Sequence, residues 1–198
     1  MIILTALSLT LATSPAGGGP DPVSAGVEHR LLATTRTATM EKELRAAAAE
    51  GFRLVSFMGG ETSFGGDEIV AIVARERDGS GVRFAYRLLA TSRTSTMQKE
   101  LNQAARDGFR FRELSIAPTL AGHELLAILE RPVGAEPPPL QEYRVQATKR
   151  TSTLHEELGR AGEDGWTALD VTVSKTMFAG SEVVAVLGRA APGARRSR

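Results

Sequence analysis

Apolar and polar residues alternate along the chain in a pattern that recurs three times, each time predicting a strand, a helix and two further strands. In the first segment, Leu31 and Ala33 lie on one side of the opening strand and Arg30 on the other, which is the two-residue period of a strand. Met40 and Leu44 then begin a series spaced by three and four residues, which predicts one apolar helix face.

The last strand of each segment does not alternate. The runs 69–73, 125–129 and 183–187 are apolar throughout, which is typical of a strand covered on both faces. One helix covers only one face of a three-stranded sheet. We therefore expect the other face to pack on a neighbouring segment or on another chain.

Position-specific matches show that the three segments are copies of one unit. They include equally spaced arginines, then glycine followed by an aromatic residue: Arg30, Arg87 and Arg144; Gly51-Phe52, Gly108-Phe109 and Gly165-Trp166. The glycines lie where a helix must end with positive φ, and the aromatic residues are expected to fold back into the core. Thr39, Thr96 and Thr153 are predicted to cap the helix starts, with Glu156 completing a capping box in the third copy.

The sequence thus predicts an α+β protein with three tandem β-α-β-β repeats, each a small antiparallel-type sheet with one helix, packed against one another. The predicted divisions are a leader at 1–26, repeats at 27–77, 83–132 and 141–190, and a disordered basic tail at 191–198. Asp78–Gly81 is expected to be a flexible linker. Pro132–Leu140 is expected to be a stiffer linker, because proline fixes φ.

The second and third repeats resemble a small bacterial family that is known only as a domain of unknown function. The similar stretches are Leu101-Asn102-x-x-Ala105-x-x-Gly108-Phe109 and Leu158-x-x-x-Gly162-x-x-Gly165-Trp166, the latter preceded by Tyr143-Arg144-Val145, with apolar runs that end at Arg75, Arg131 and Arg189. The first repeat departs most, with His29 for the tyrosine and no asparagine after Leu44. The resemblance covers all three repeats. It implies a fold but no activity.

The N-terminus favours export. Ile2–Ala12 is almost entirely apolar or small, which is typical of a signal-peptide core and too short for a spanning helix. Ser14-Pro15-Ala16 and Val23-Ser24-Ala25 are candidate cleavage sites, although no basic residue precedes the apolar run. We expect a periplasmic or secreted protein with no transmembrane span in the mature chain. A cytoplasmic protein is the alternative if this segment is not a leader.

Charge and composition exclude several kinds of partner and functional site. The net charge of +1 argues against nucleic acid as a partner. The absence of cysteine excludes disulfides, thiolate metal sites and cysteine nucleophiles. No cofactor, metal or catalytic residue is predicted, and the sequence leans against an enzyme without deciding the point.

The Arg-Thr-x-Thr segments before the helices are the sharpest candidate site. Helix starts favour anions, and arginine with hydroxyls can hold phosphate, sulfate or a carboxylate. The candidate residues are Arg36, Thr37, Thr39, Arg93, Thr94, Thr96, Arg150, Thr151 and Thr153. In the simpler interpretation the threonines are caps and the arginines pair with Glu43, Glu100 and Glu157.

Other polar or exposed positions support an interaction role more than a reaction. His29, His123 and His155 fall at three different places in the repeat, and Glu68, Glu124 and Glu182 precede the buried strand. Phe64, Leu120 and Phe178 recur in a loop, where they either pack in the core or contact a partner. The favoured function is a non-enzymatic module that contacts a protein or cell-envelope component. Anion or glycan binding is the alternative, and an enzyme with an unrecognised site is the third.

Overall fold

A computed structural model describes residues 26–63, 66–79, 81–119, 122–136, 138–176 and 180–192. The elements in chain order are β1 (Val27–Thr34), α1 (Thr37–Ala49), β2 (Arg53–Thr62), β3 (Gly66–Glu76), β4 (Phe84–Thr91), α2 (Thr94–Arg106), β5 (Arg110–Thr119), β6 (Gly122–Pro132), β7 (Gln141–Thr148), α3 (Thr151–Glu163), β8 (Thr167–Thr176) and β9 (Gly180–Ala190). They form three antiparallel sheets with the orders β1-β3-β2, β4-β6-β5 and β7-β9-β8. The predicted α+β fold of three repeats is confirmed.

The continuous apolar run of each repeat forms the central strand, which is paired on both edges. Each helix ends before the predicted glycine, and φ is 91° at Gly51, 82° at Gly108 and 78° at Gly165. The aromatic residue that follows turns inward, as expected. Phe52 is buried and Trp166 half-buried.

Each of the first two helices lies between its own sheet and the sheet of the next repeat. Met40 and Leu44 of α1 share one buried cluster with Ile128 of the second sheet. Met97 of α2 shares the next cluster with Val186 of the third sheet. The predicted packing of the repeats against one another is therefore confirmed, and it buries apolar side chains that one repeat could not cover alone.

The central strand of the first sheet is less buried than the central strands of the other two sheets. Ile72, Ile128 and Val186 occupy the same register position in β3, β6 and β9. Ile128 and Val186 are 0% exposed, whereas Ile72 is 39% exposed. Within the described residues no helix precedes the first sheet, so no neighbouring repeat covers the outer face of β3, and its cover by another chain stays a prediction.

This difference predicts unequal effects of one substitution at two equivalent positions. Ile128→Ala should lower the free energy of unfolding by about 2–5 kcal/mol, since it leaves a cavity between two repeats. Ile72→Ala should cost less than about 1 kcal/mol, because the side chain already contacts water. Urea unfolding of both variants at low protein concentration measures the difference, and equal costs would contradict the packing described.

Candidate functional site

The Arg-Thr-x-Thr segments start the helices earlier than predicted. The helices begin at Thr37, Thr94 and Thr151, and the residue before each is an extended arginine without a side-chain cap. Thr39, Thr96 and Thr153 therefore lie inside the first turn, so the predicted threonine caps and the capping box with Glu156 are wrong. The reason is the preceding strand end: the N–H groups of Arg36, Arg93 and Arg150 donate to the hydroxyl oxygens of Thr34, Thr91 and Thr148, each at 3.3 Å.

The start of α2 opens onto a pocket of about 250 Å³ between the second and third repeats. Arg93, Thr94 and Ser95 line it on one side and Glu182 of β9 on another. The structure thus places two of the predicted anion-binding residues beside a cavity, together with a carboxylate of the opposite charge.

The other candidate residues are dispersed. His29 lies on β1, His123 at the start of β6 and His155 on α3. Among the described residues, no group of three or more histidine, aspartate or glutamate side chains could hold a metal ion. The loop residues Phe64, Leu120 and Phe178 lie outside the described part of the chain.

The edge strand of one repeat donates its backbone N–H groups to side chains of the next repeat. At the first interface, Leu54 N donates to the Tyr86 hydroxyl at 2.8 Å and Gly59 N donates to Ser115 Oγ at 2.9 Å. At the second interface, Phe111 N donates to the Tyr143 hydroxyl and Leu114 N to Asp170 Oδ2, both at 2.8 Å. These bonds satisfy strand groups that would otherwise be buried without a partner.

The preceding helix satisfies the opposite edge of the next sheet. Glu41 Oε1 accepts the N–H of Leu88 at 3.4 Å, and Arg45 Nε donates to the carbonyl of Tyr86 at 3.4 Å. The second interface repeats both contacts with other side chains. Gln98 Oε1 accepts from Val145 N at 2.9 Å, and Asn102 both accepts from Tyr143 N at 2.9 Å and donates to its carbonyl at 2.7 Å. The helices therefore protect edge strands that could otherwise pair with another chain.

The repeated arginines stack on the aromatic residue at the end of each helix. Two guanidinium groups approach each ring within 4.9 Å of its centroid: Arg30 and Arg75 on Phe52, Arg87 and Arg131 on Phe109, Arg144 and Arg189 on Trp166. In the first repeat, Arg30 also pairs with Glu50 at 2.6 Å, and Arg75 Nη1 donates to the Glu50 carbonyl at 2.8 Å. Cations near the last helical carbonyls interact favourably with the negative end of the helix dipole. These arginines therefore stabilise the fold.

Two apolar surfaces, at opposite ends of the stack of repeats, are not covered by any residue that the structure describes. We define the N-terminal face as the outer side of the first sheet around Leu31, Met58 and Ile72. Leu31 is 65% and Met58 60% exposed. The equivalent face of the second sheet is covered by α1, and that of the third by α2.

The second open surface, the C-terminal face, is formed by Val171 and Val173 of β8 and the outer side of α3 at His155, Gly159 and Gly162. Val171 is 57% and Val173 62% exposed, and the three helix positions are exposed. A Cβ atom added at either glycine would meet no atom within 4 Å. This is the surface that the next repeat covers at the two internal interfaces.

Comparison with known proteins leaves the family open: no family model, curated protein or solved structure matches the chain. The resemblance to a domain of unknown function stays a prediction. Within the part of the chain that the structure describes, no helix combines the length and apolar character needed to cross a bilayer.

Sequence reasoning missed the bonds between the repeats. One signal was present, because Tyr86 and Tyr143 recur at the same repeat position while His29 replaces them in the first copy. A recurrent buried tyrosine implies a partner for its hydroxyl, but the alignment does not reveal that this partner is a backbone N–H of the preceding repeat.

We expect the stability of the first interface to depend on the protonation of Glu113. Burial raises the pKa of its carboxyl from the ordinary 4.5, and Asp170 raises it further, while hydrogen bonds from Phe57 N and Ser56 and the charge of Arg112 act in the opposite direction. An acid whose pKa is raised by folding stabilises the fold below its unfolded pKa, and this contribution is lost as pH rises through the folded pKa. Glu113→Gln should therefore gain stability relative to the wild type as pH rises from about 4 to 7, as measured by urea unfolding.

Ser115→Ala is the matched control from the same strand. It removes the acceptor of Gly59 N and should lower the free energy of unfolding by about 1–3 kcal/mol. Because the serine hydroxyl does not titrate, that loss should be the same at every pH. A Glu113→Gln difference that is constant with pH, or that falls as pH rises, would contradict the assignment.

Proposed function

We propose that the chain is an exported, non-enzymatic interaction or structural module that contacts a protein or a cell-envelope component. The N-terminal face carries this proposal. It presents large exposed apolar side chains on the outer side of the first sheet, whereas the equivalent faces of the other two sheets are buried. Contiguous exposed apolar surface is costly in water and is typical of interaction sites. Export rests on the apolar segment Ile2–Ala12 of the sequence.

The use of polar side chains within the molecule supports an interaction role over catalysis. Tyr86 accepts one hydrogen bond from Leu54 N and donates another to Glu130, whose carboxylate also pairs with Arg53 at 2.7 Å. The Tyr86 hydroxyl is a donor at neutral pH, and burial raises its pKa further above the ordinary value of 10. This group of tyrosine, carboxylate and arginine thus serves the joint between two repeats.

Capture of a partner by the full chain tests the proposal. The immobilised protein is exposed separately to the envelope and cytosolic fractions of its own cells. We expect a defined partner from the envelope fraction that Met58→Lys no longer retains, because the lysine places a charge on the N-terminal face.

Val133→Lys is the matched control, since Val133 is 56% exposed and lies in the second linker, where it lines pockets with residues of α1 and the second repeat and with none of the first sheet. It should retain the partner as the wild type does. Equal capture by both variants would overturn the role of the N-terminal face. A partner found only in the cytosolic fraction would overturn export.

A second candidate is anion or glycan binding at the start of α2, which the pocket beside Arg93 favours. An arginine with hydroxyls at a helix start can hold a phosphate or a sulfated glycan. Glu182 in the same pocket would select against a high negative charge, so a singly charged group fits this pocket best.

Titration with inorganic phosphate, followed by calorimetry, tests the second candidate. Arg93→Ala should weaken binding at least several-fold, since it removes the charge-assisted hydrogen bonds. Arg36→Ala, at the same position of the first repeat, serves as the control and should leave binding at the α2 pocket unchanged. Equal affinity of the wild type and Arg93→Ala would exclude this candidate.

A further inference from the structure

We propose that copies of this chain associate head to tail, with the N-terminal face of one copy covering the C-terminal face of the next. This inference rests on the proposed function and names its partner as a second copy of the same chain. The two faces are open at opposite ends of one molecule. They are the two halves of an interface that the molecule already contains twice.

The internal interfaces show how the two faces fit together. At each of them the outer side of one sheet packs on the helix and edge strand of the preceding repeat. Ile128 and Leu126 of the second sheet lie in one buried cluster with Leu44 and Phe57 of the first repeat. The positions equivalent to Ile128 and Phe57 at the two ends are Ile72, on the N-terminal face, and Val171, on the C-terminal face.

Apolar character is retained at both ends, although no described residue covers either. Ile72 and Leu31 keep the side-chain type of Ile128 and Leu88, which are buried or half-buried inside the stack. Val171 corresponds to Leu114 in the same way, and Leu114 is buried by the third repeat. Folding of one chain gives no reason for apolar residues at these exposed positions, whereas burial by a second copy does.

The surface of α3 has room for the incoming strand. Gly159 and Gly162 replace Arg45 and Ala48 of α1, and the space above both glycines is open. In the internal interfaces this helix side lies against the first strand of the next repeat, with Glu41 and Arg45 bonded to its backbone. The backbone of β1 from another copy can therefore approach α3 closely.

Several side chains that make the polar bonds of the internal interfaces are replaced at the ends, which weakens the association. His155 and Gly159 stand where Gln98 and Asn102 bond to the next strand in the second interface. Met58 stands where Ser115 accepts from an edge N–H in the first interface. The contact between copies is consequently weaker than the joints within a chain, and the assembly is reversible and concentration-dependent.

When two copies associate through two different faces, the dimer still has one unoccupied face of each kind. Each added copy leaves one open face at either end, so the assembly grows into open chains or closes as a ring. Pairing of two N-terminal faces would instead stop at a dimer. The size distribution of the assembly separates the two arrangements.

Single cysteines give the most direct test, because the chain has none of its own. Met58 corresponds to Ser115 and Val173 to Gly59, and these two positions are adjacent at the first internal interface, where Gly59 N donates to Ser115 Oγ. A mixture of the full-length variants Met58→Cys and Val173→Cys should cross-link with a short thiol-reactive reagent into mixed dimers. Neither variant alone should form dimers above the level of random collision.

Blocked ends provide the second measurement. Leu31→Asp blocks the N-terminal face and Val171→Asp blocks the C-terminal face, both at side chains that are more than half exposed. In sedimentation velocity we expect the wild type to show species larger than a dimer as concentration rises. Each variant alone should stay monomeric, and an equimolar mixture should form dimers and nothing larger.

Three results would overturn head-to-tail association. They are cross-linking of Met58→Cys with itself, dimers of Val171→Asp alone, and a wild type that stays monomeric at every concentration. None of them decides the proposed function, because an envelope partner lost on Met58→Lys would still identify the N-terminal face as an interaction surface. Conversely, head-to-tail chains without an envelope partner would support self-association as the structural role.

Discussion

A three-stranded sheet has two edges with unpaired backbone groups, and this chain satisfies the inner edges with side chains from neighbouring repeats. The edge strand β5 donates to Tyr143 and Asp170 of the third repeat. The other edge of the same sheet, β4, bonds to Glu41 and Arg45 of the first repeat. Buried edge groups left without partners would each cost about 1–3 kcal/mol. The stack of repeats depends on this exchange as much as on apolar burial.

The same exchange explains how the repeat interfaces tolerate different residues. Glu41 and Gln98 share one position and differ in charge, but both offer a side-chain oxygen to the N–H of the next strand. Arg45 and Asn102 share another position, and both donate to a tyrosine carbonyl. Each position requires a side chain that is long enough to place a donor or an acceptor at the backbone of the next edge strand. An alignment of residue types shows this requirement only weakly, which is why the sequence predicted the packing of the repeats but not the bonds that hold them.

Local features of the fold were predictable because they depend on the backbone of a single repeat. Gly51 and its two equivalents end the helices because positive φ is strained for other residues. Thr39 was wrongly predicted as a cap because the preceding strand end, through Thr34, starts the helix earlier. The candidate site depended on tertiary context. The sequence could not show that Arg93 borders a pocket, nor that Ile72 is exposed while Ile128 is buried, since both outcomes depend on which repeat lies beside them.

The terminal repeats of a stacked protein usually carry polar residues on their outer surfaces, because no further repeat covers them. Here the hydrogen-bonding side chains are the ones that change at the ends, as at Gly159 and Met58, while Leu31, Ile72 and Val171 remain apolar. The ends of this stack therefore lack the polar outer surface that is usual for a terminal repeat. The residues at the end positions lack the side chains that form hydrogen bonds at the equivalent internal interfaces. They keep the apolar side chains that favour burial. Surfaces of this kind suit a contact that forms and dissociates, which explains why two equivalent faces can be permanent joints within the chain and open surfaces at its ends.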